Sequence, residues 1–228
     1  MTTGTRAANR AAMESEIRRL ARAHLRTHGA AGLSLRAIAR EMGVVSSAVY
    51  RYVPSRDDLL TMLLVEAYSD LADAVHDAIA DVAEDRPRER LVAATRSLRR
   101  WAVEDPARWA LLYGSPVPGY AAPAEQTVGP GTRVVAMLIA EVGRAHEAGH
   151  LPADDAVPDS VVRDFDAIRA EFDSALPDSA LLVATTLWAV TIGAISLEVF
   201  GQYGSDTFGH PEALFAAQVE RALEPMAR

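Results

Sequence analysis

The chain has 228 residues with 23 basic and 31 acidic side chains, a formal charge of −8, and no cysteine. That length can hold a full apolar core and two domains, and the missing cysteine excludes a disulfide framework or a thiolate metal site. The net charge argues against a nucleic-acid binder for the chain taken whole, but residues 1–56 hold 10 Arg against 3 acids (+7) and the remainder 13 Arg against 28 acids (−15), which confines phosphate attraction to one end.

Apolar residues recur at helical spacing and strand signals are nearly absent, so an all-α fold is expected. The N-terminal stretch MTTGTRAANRAAMESE has no apolar signal core, which predicts a cytoplasmic protein. A first helix is expected from about Glu14 to His28, with Ile17, Leu20, Ala21 and Leu25 inward, ended by Gly29 to Gly32. Ser34 is the expected cap of a second helix, Leu35 to Met42, and Gly43 the turn. A third helix is expected from about Ser46 to Tyr52, stopped by Pro54.

Ser55 then caps a long helix to about Asp81, with Asp57 and Asp58 favourable to its dipole. Pro87 opens a helix to about Val103, and Asp105-Pro106 a short one through Trp109 to Tyr113. SPVPGYAAP, Ser115 to Pro123, reads as a loop. Helices are expected from about Thr132 to Ala148, ended by Gly149 and Pro152, and near Asp159 to Phe172. Asp178 is the expected cap of an uncharged helix to about Gln202, and Pro211 opens the last. The segment Ser179 to Leu197 has the length of a membrane span, but its threonines and acidic flanks favour a buried or dimer-forming helix, with no membrane partner.

The most informative stretch is LSLRAIAREMGVVSSAVYRYVPSRDDLL, Leu33 to Leu60. Two short helices meet at Gly43, and the second carries Ser, Tyr and Arg where a core helix would carry aliphatics. One helix packing inward and the next presenting polar and aromatic side chains is the pattern of a helix-turn-helix that reads DNA. Every basic residue of the chain is Arg, whose rigid fork suits bidentate phosphate and guanine contacts. Arg6 and Arg10 are either an arm into the minor groove or a solvated tail.

This pattern resembles the TetR family of transcriptional regulators. Ile38-Ala39, Gly43-Val44, Tyr50, Tyr52, Pro54-Ser55-Arg56 and Leu59-Leu60 all fall at that family's spacing. The resemblance implies a helix-turn-helix domain of three helices over 1–56 and a helical effector-binding and dimerisation domain over 57–228. It implies a homodimer on a double-stranded, roughly palindromic DNA operator, most often a repressor released by a small, largely apolar effector, with no cofactor and no catalysis; an activator or an effector-independent regulator stays open. By the same resemblance Arg36, Ser46, Ser47 and Arg51 match positions that reach base edges, and Ser34, Tyr50, Tyr52 and Arg56 match positions that grip phosphate. For Tyr50 and Tyr52 the other reading is packing against the first helix. Val45 stands where the family has a Ser or Thr cap, which makes Ser46 the expected cap, and Ala48 stands where Thr or Ser is common. The C-terminal half is similar to the subgroup named for a Trp-His-Gly motif: Trp188 and Gly193 fit, and Ile192 holds the His position.

Trp101, Trp109, Leu112, Tyr113, Met137, Phe165 and Trp188 are the candidate effector-pocket residues, and core packing is their alternative role. Leu181, Trp188, Ala189, Ile195 and Val199 are the candidate dimer seam. One motif points elsewhere. His146-Glu147-Ala148-Gly149-His150 spells the zinc-hydrolase pattern HExxH, which needs both histidines on one continuous helical face. Gly149 and Pro152 are expected to end the helix first. His24 and His28, also four apart, read as surface or partly packed histidines.

Overall fold

The computed structural model describes residues 3–151, 157–204 and 206–226, with side chains from residue 7 onward. Pro152 and the side chain of Arg6 lie outside the described residues. Helices account for the regular structure: α1 (Thr3–His28), α2 (Leu35–Glu41), α3 (Ser46–Tyr50), α4 (Arg56–Ala80), α5 (Pro87–Glu104), α6 (Pro106–Tyr113), α7 (Ala124–Glu147), α8 (Asp159–Phe172), α9 (Asp178–Val199) and α10 (Pro211–Ala222), with a 3₁₀ turn at Ala30–Gly32. The described residues contain no strand, as the periodicity required.

Several bounds differ from expectation for local reasons. α1 begins eleven residues before Glu14. Its first turns are rich in Ala and Arg, strong helix formers, and Arg10 pairs with Glu14 at 2.8 Å one turn on. Residues 7–12 are exposed, so no apolar periodicity marks them. α7 begins at Ala124 and carries Pro130 inside it. The carbonyl of Pro123 starts it, accepting from the N–H groups of Gln126 and Thr127 and from the Thr127 hydroxyl. α9 is capped by Pro177 rather than Asp178, whose carboxylate instead accepts from the Arg169 guanidinium. Ser55 does cap α4: its Oγ accepts from the Asp58 N–H at 3.0 Å and donates to the Asp58 carboxylate at 2.6 Å.

Compactness divides the chain at points other than the expected break between 56 and 57. One unit is Met1–Ser69 with Asp105–Gly131, and the other is Asp70–Glu104 with Thr132–Arg228. The first is built on Ile17, Leu20, Ala21 and Leu25 of α1, the four positions expected to face inward. They are buried with Leu35, Ile38 and Ala39 of α2, Val49 of α3 and Leu59, Leu60 and Leu63 of α4. Ala107, Leu111, Val117 and Tyr120 pack onto the same core from the later segment. Asp105 ties that segment down: it caps α6 through the Arg108 N–H and accepts from Arg26 of α1 at 2.6 Å. The Tyr120 hydroxyl lies 2.9 Å from the Thr61 hydroxyl.

In the second unit α9 packs against α10, α5 and α8. α9 is long and apolar enough to cross a membrane by length and composition, but Leu181, Leu187, Thr191 and Ile195 are 0% exposed inside the protein. Among the described residues of this unit, one ion pair is buried. Arg90 of α5 donates to both carboxylate oxygens of Glu141 on α7, at 2.9 and 3.1 Å, and to the Val82 carbonyl at 2.7 Å. Removing one partner of such a pair leaves the other charge desolvated, a loss of about 3–5 kcal/mol. Arg90→Ala should therefore lower the unfolding free energy in urea by about 3 kcal/mol, the low end because Arg144 still faces Glu141. A change under about 1 kcal/mol, the scale of exposed pairs, would contradict this role.

Candidate nucleic-acid interface

The geometry of α2 and α3 follows from a few residues. Ser34 has extended backbone, and its Oγ accepts from the Ala37 N–H at 3.3 Å, capping α2. Gly43 at φ +70° ends it: the Gly43 N–H donates to the Arg40 carbonyl and the Val44 N–H to that of Ala39. This paired closure needs a left-handed residue, which glycine adopts without strain. α3 then runs for five residues, anchored by the fully buried Val49. Its cap position is Val45, with no side-chain bond. Ser46 does not take over capping, because the helix already includes it.

The expected DNA-facing residues fall into two groups. Arg36, Ser47, Tyr50 and Arg51 are exposed, and Ser46 is half-buried beside them in sequence. Tyr52 is half-buried: it packs against the core of the first unit, whose residues 1–56 form the head, and Arg10 lies over its ring at 5.5 Å from the centroid. Arg10 itself is helical and paired with Glu14, so it is not a free arm. Arg56 has a structural task. Its guanidinium donates to the carbonyls of Ala30, Ala31 and Leu33, satisfying the acceptors of the 3₁₀ turn before α2.

The distribution of unpaired charge is sharper than the sequence count. On α1, Arg10 pairs with Glu14, Arg19 with Glu16, Arg22 and Arg18 with Glu66, and Arg26 with Asp105. Glu41 sits 2.8 Å from His24. Arg36, Arg40 and Arg51 are exposed, and their side chains have no hydrogen-bond or ion-pair partner among the described residues. The arginine side chains of residues 7–56 that have no partner thus lie on α2 and at the end of α3, where the exposed Ser47 and Tyr50 add donors. This set suits a polyanion carrying hydrogen-bonding edges.

The candidate pocket residues divide between the units. Trp109, Leu112 and Tyr113 are in the first, where Trp109 is fully buried, its ring 4.4 Å from that of Tyr113, and Tyr68 meets Tyr113 edge-on at 6.4 Å. Burial pushes the Tyr113 phenol well above its ordinary range, reinforced by Tyr68, so it stays a neutral donor. Trp101, Met137, Phe165 and Trp188 are in the second unit, with Phe165 in the core and the other three half-buried.

Two candidates for the dimer seam need correction. Leu181 and Ile195 are 0% exposed inside their own protomer and cannot meet a partner. Ala189 is exposed, and Trp188 and Val199 are half-exposed. The outward stripe of α9 is Thr186, Ala189, Gly193 and Leu197. The HExxH residues do not share a helical face: α7 ends at Glu147, and Gly149 at φ +73° turns the chain before His150. No group of three metal-ligating side chains is assembled among the described residues.

Comparison with known proteins gives matches over both parts of the chain. Residues 17–63 match the model for bacterial regulatory proteins of the tetR family, and residues 91–222 that for a tetracyclin repressor-like C-terminal domain. The HTH-type transcriptional regulators Mb1846 of Mycobacterium bovis and Rv1816 of Mycobacterium tuberculosis are each 50% identical over 225 residues, covering 98% of this chain and 96% of theirs. The crystal structure of a protein described as regulatory, SCO4313, superposes with a TM-score of 0.80 at 32% identity, over 95% of this chain and 98% of that one.

The two kinds of arginine separate in a stability measurement. Arg56→Ala should lower the stability of the free protein by about 1.5–3 kcal/mol, the range for hydrogen bonds to a charged group. Arg36→Ala should stay within about 0.5 kcal/mol of the parent, as exposed, unpartnered positions do. Equal losses in thermal melts would show that Arg36 supports the fold and is not held free for a ligand.

Proposed function

Because the chain belongs to the TetR family, and is a DNA-binding transcriptional regulator on that ground, we propose that it is a cytoplasmic, homodimeric repressor that a small, largely apolar effector releases from a roughly palindromic operator. Residues 1–56 are assigned the DNA and residues 57–228 the effector and the dimer contact. The observation that carries the reader assignment is the unpaired charge. Arginines elsewhere on the described head are paired with carboxylates or held by carbonyls, while Arg36, Arg40 and Arg51 face outward.

Arg36, Ser46, Ser47 and Arg51 are assigned to base edges, with Arg suited to guanine O6 and N7. Tyr50 is assigned to phosphate. Ser34, Tyr52 and Arg56 act there through what they hold in place: the start of α2, the seat of α3 and the turn between α1 and α2. The exposed small-residue stripe of α9, paired with α10 across a two-fold axis, supports a four-helix dimer contact. Two-fold symmetry then calls for half-sites about 34–36 Å apart, or a multiple. A similarity to the Trp-His-Gly subgroup extends this reading, with Ile192 giving an apolar side chain where that motif has an imidazole. No catalytic step is assigned to any residue. The switch is a population shift, and moving it from 1:99 to 99:1 takes about 5.5 kcal/mol of differential binding.

Three measurements test this reading. With about 6–10 phosphates neutralised per dimer, affinity for a duplex selected from a random pool should fall about 10³–10⁵-fold between 50 and 200 mM salt. Arg51→Ala should relax base preference at one position per half-site, at about 1–3 kcal/mol. A loss spread evenly over all sequences would place Arg51 on phosphate instead. The dimer contact is tested by Ala189→Glu. Ala189 is exposed in the protomer, so the variant should fold and sediment as a 24.5 kDa monomer; a persisting dimer would move the interface off α9.

A further inference from the structure

Val45 is the most exposed large apolar side chain among the described residues, at 71%. It stands at the cap of α3 with extended backbone and no side-chain bond, while its carbonyl accepts from the Ala48 N–H. Extended backbone sends successive side chains to opposite sides. Val44 goes inward, onto the head core, and Val45 goes outward, next to the exposed Ser47. The position suits Ser, Thr, Asp or Asn, whose oxygen would accept a free helix N–H. Valine forgoes that bond and also leaves a branched apolar group in water, two disadvantages in the free protein. Ser34 shows that the same head uses a capping serine at the start of α2. An isolated exposed valine elsewhere would need no explanation, but this one opens the helix whose first residues meet base edges in a helix-turn-helix.

We propose that Val45 is a specificity-determining residue that packs on the 5-methyl group of a thymine in the major groove. The inference rests on α3 being the base-contacting helix. The thymine methyl is the apolar feature that the major groove offers to a side chain, and a short aliphatic group is its complement. Charge places DNA over this surface, because Arg36, Arg40 and Arg51 surround α3 in sequence without partners among the described residues. The aliphatic group adds a preference that those arginines and Ser47 cannot supply, since none of them distinguishes thymine from uracil.

The test uses full-length protein and the duplex enriched from a random pool. Each thymine is replaced in turn by deoxyuridine, which removes only the methyl group. One thymine per half-site should weaken binding by the parent about fourfold, the worth of one buried methyl group. Val45→Ala should bind the thymine and deoxyuridine duplexes alike. Val45→Ser should show the same indifference and melt about 2–4 °C higher, because the cap is restored. A parent indifferent to every thymine methyl, an unchanged deoxyuridine penalty in Val45→Ala, or a Val45→Ser that melts lower would each overturn the proposal while leaving α3 as reader. A pool that yields no enriched duplex would overturn the reader assignment, and this inference with it.

Discussion

A five-residue helix has no stability of its own, and the rest of the head is arranged around that constraint. Helix nucleation fixes several residues for one hydrogen bond, so isolated helices much longer than α3 remain marginal in water. α3 also lacks a capping side chain. What holds it is tertiary. Val49 is buried among α1, α2 and α4 residues, Val53 follows it into the same core, and the Gly43 closure sets where the chain leaves α2. Because the anchoring lies on one face, the other face is free of structural duty. Ser47, Tyr50 and Arg51 stay exposed because Val49 and Val53 carry the packing.

The second organising feature is the division of labour among arginines. The formal charge of the head suggests a diffuse basic patch, but on α1 the guanidiniums face carboxylates at 2.6–3.9 Å. Exposed pairs of this kind add little stability, about 0–1 kcal/mol each. Their larger consequence is to occupy those guanidiniums, so that within residues 7–56 the arginine side chains without a partner are those of α2 and the end of α3. Arg56 serves a third purpose, closing the carbonyls of the turn that leads into Ser34, the cap of α2. One residue type thus pairs with carboxylates, braces carbonyls or stays exposed without a side-chain partner, according to what lies within reach of its fork.

Much of this was legible in the sequence where one face of an element is apolar and the other is not. The spacing of Ile17, Leu20, Ala21 and Leu25 predicts burial, and they are buried; Ser34, Gly43 and Ser55 act at the termini their residue types predict. The first turns of α1 are invisible to periodicity because an exposed Ala and Arg helix leaves no apolar stripe. α9 gave the opposite problem. It is apolar on all sides, so periodicity cannot say which face meets its own core, and Leu181 and Ile195, candidates for an outward seam, lie inward. The bracing by Arg56 is illegible for a different reason: its partners are backbone carbonyls, which carry no sequence signature. The pairing of Asp105 with Arg26 is non-local, and nothing in the order of residues announces that 105–131 joins the first compact unit.

In the proposed function, α3 is displayed to DNA by a core it does not itself supply. Hydrogen exchange of the full-length protein with and without its selected duplex addresses this directly. Added DNA should slow exchange across Ser34–Arg56, most strongly over Val45–Arg51, and leave α9 and α10 unchanged. Protection centred on α9 and α10, or absent from Val45–Arg51, would contradict it.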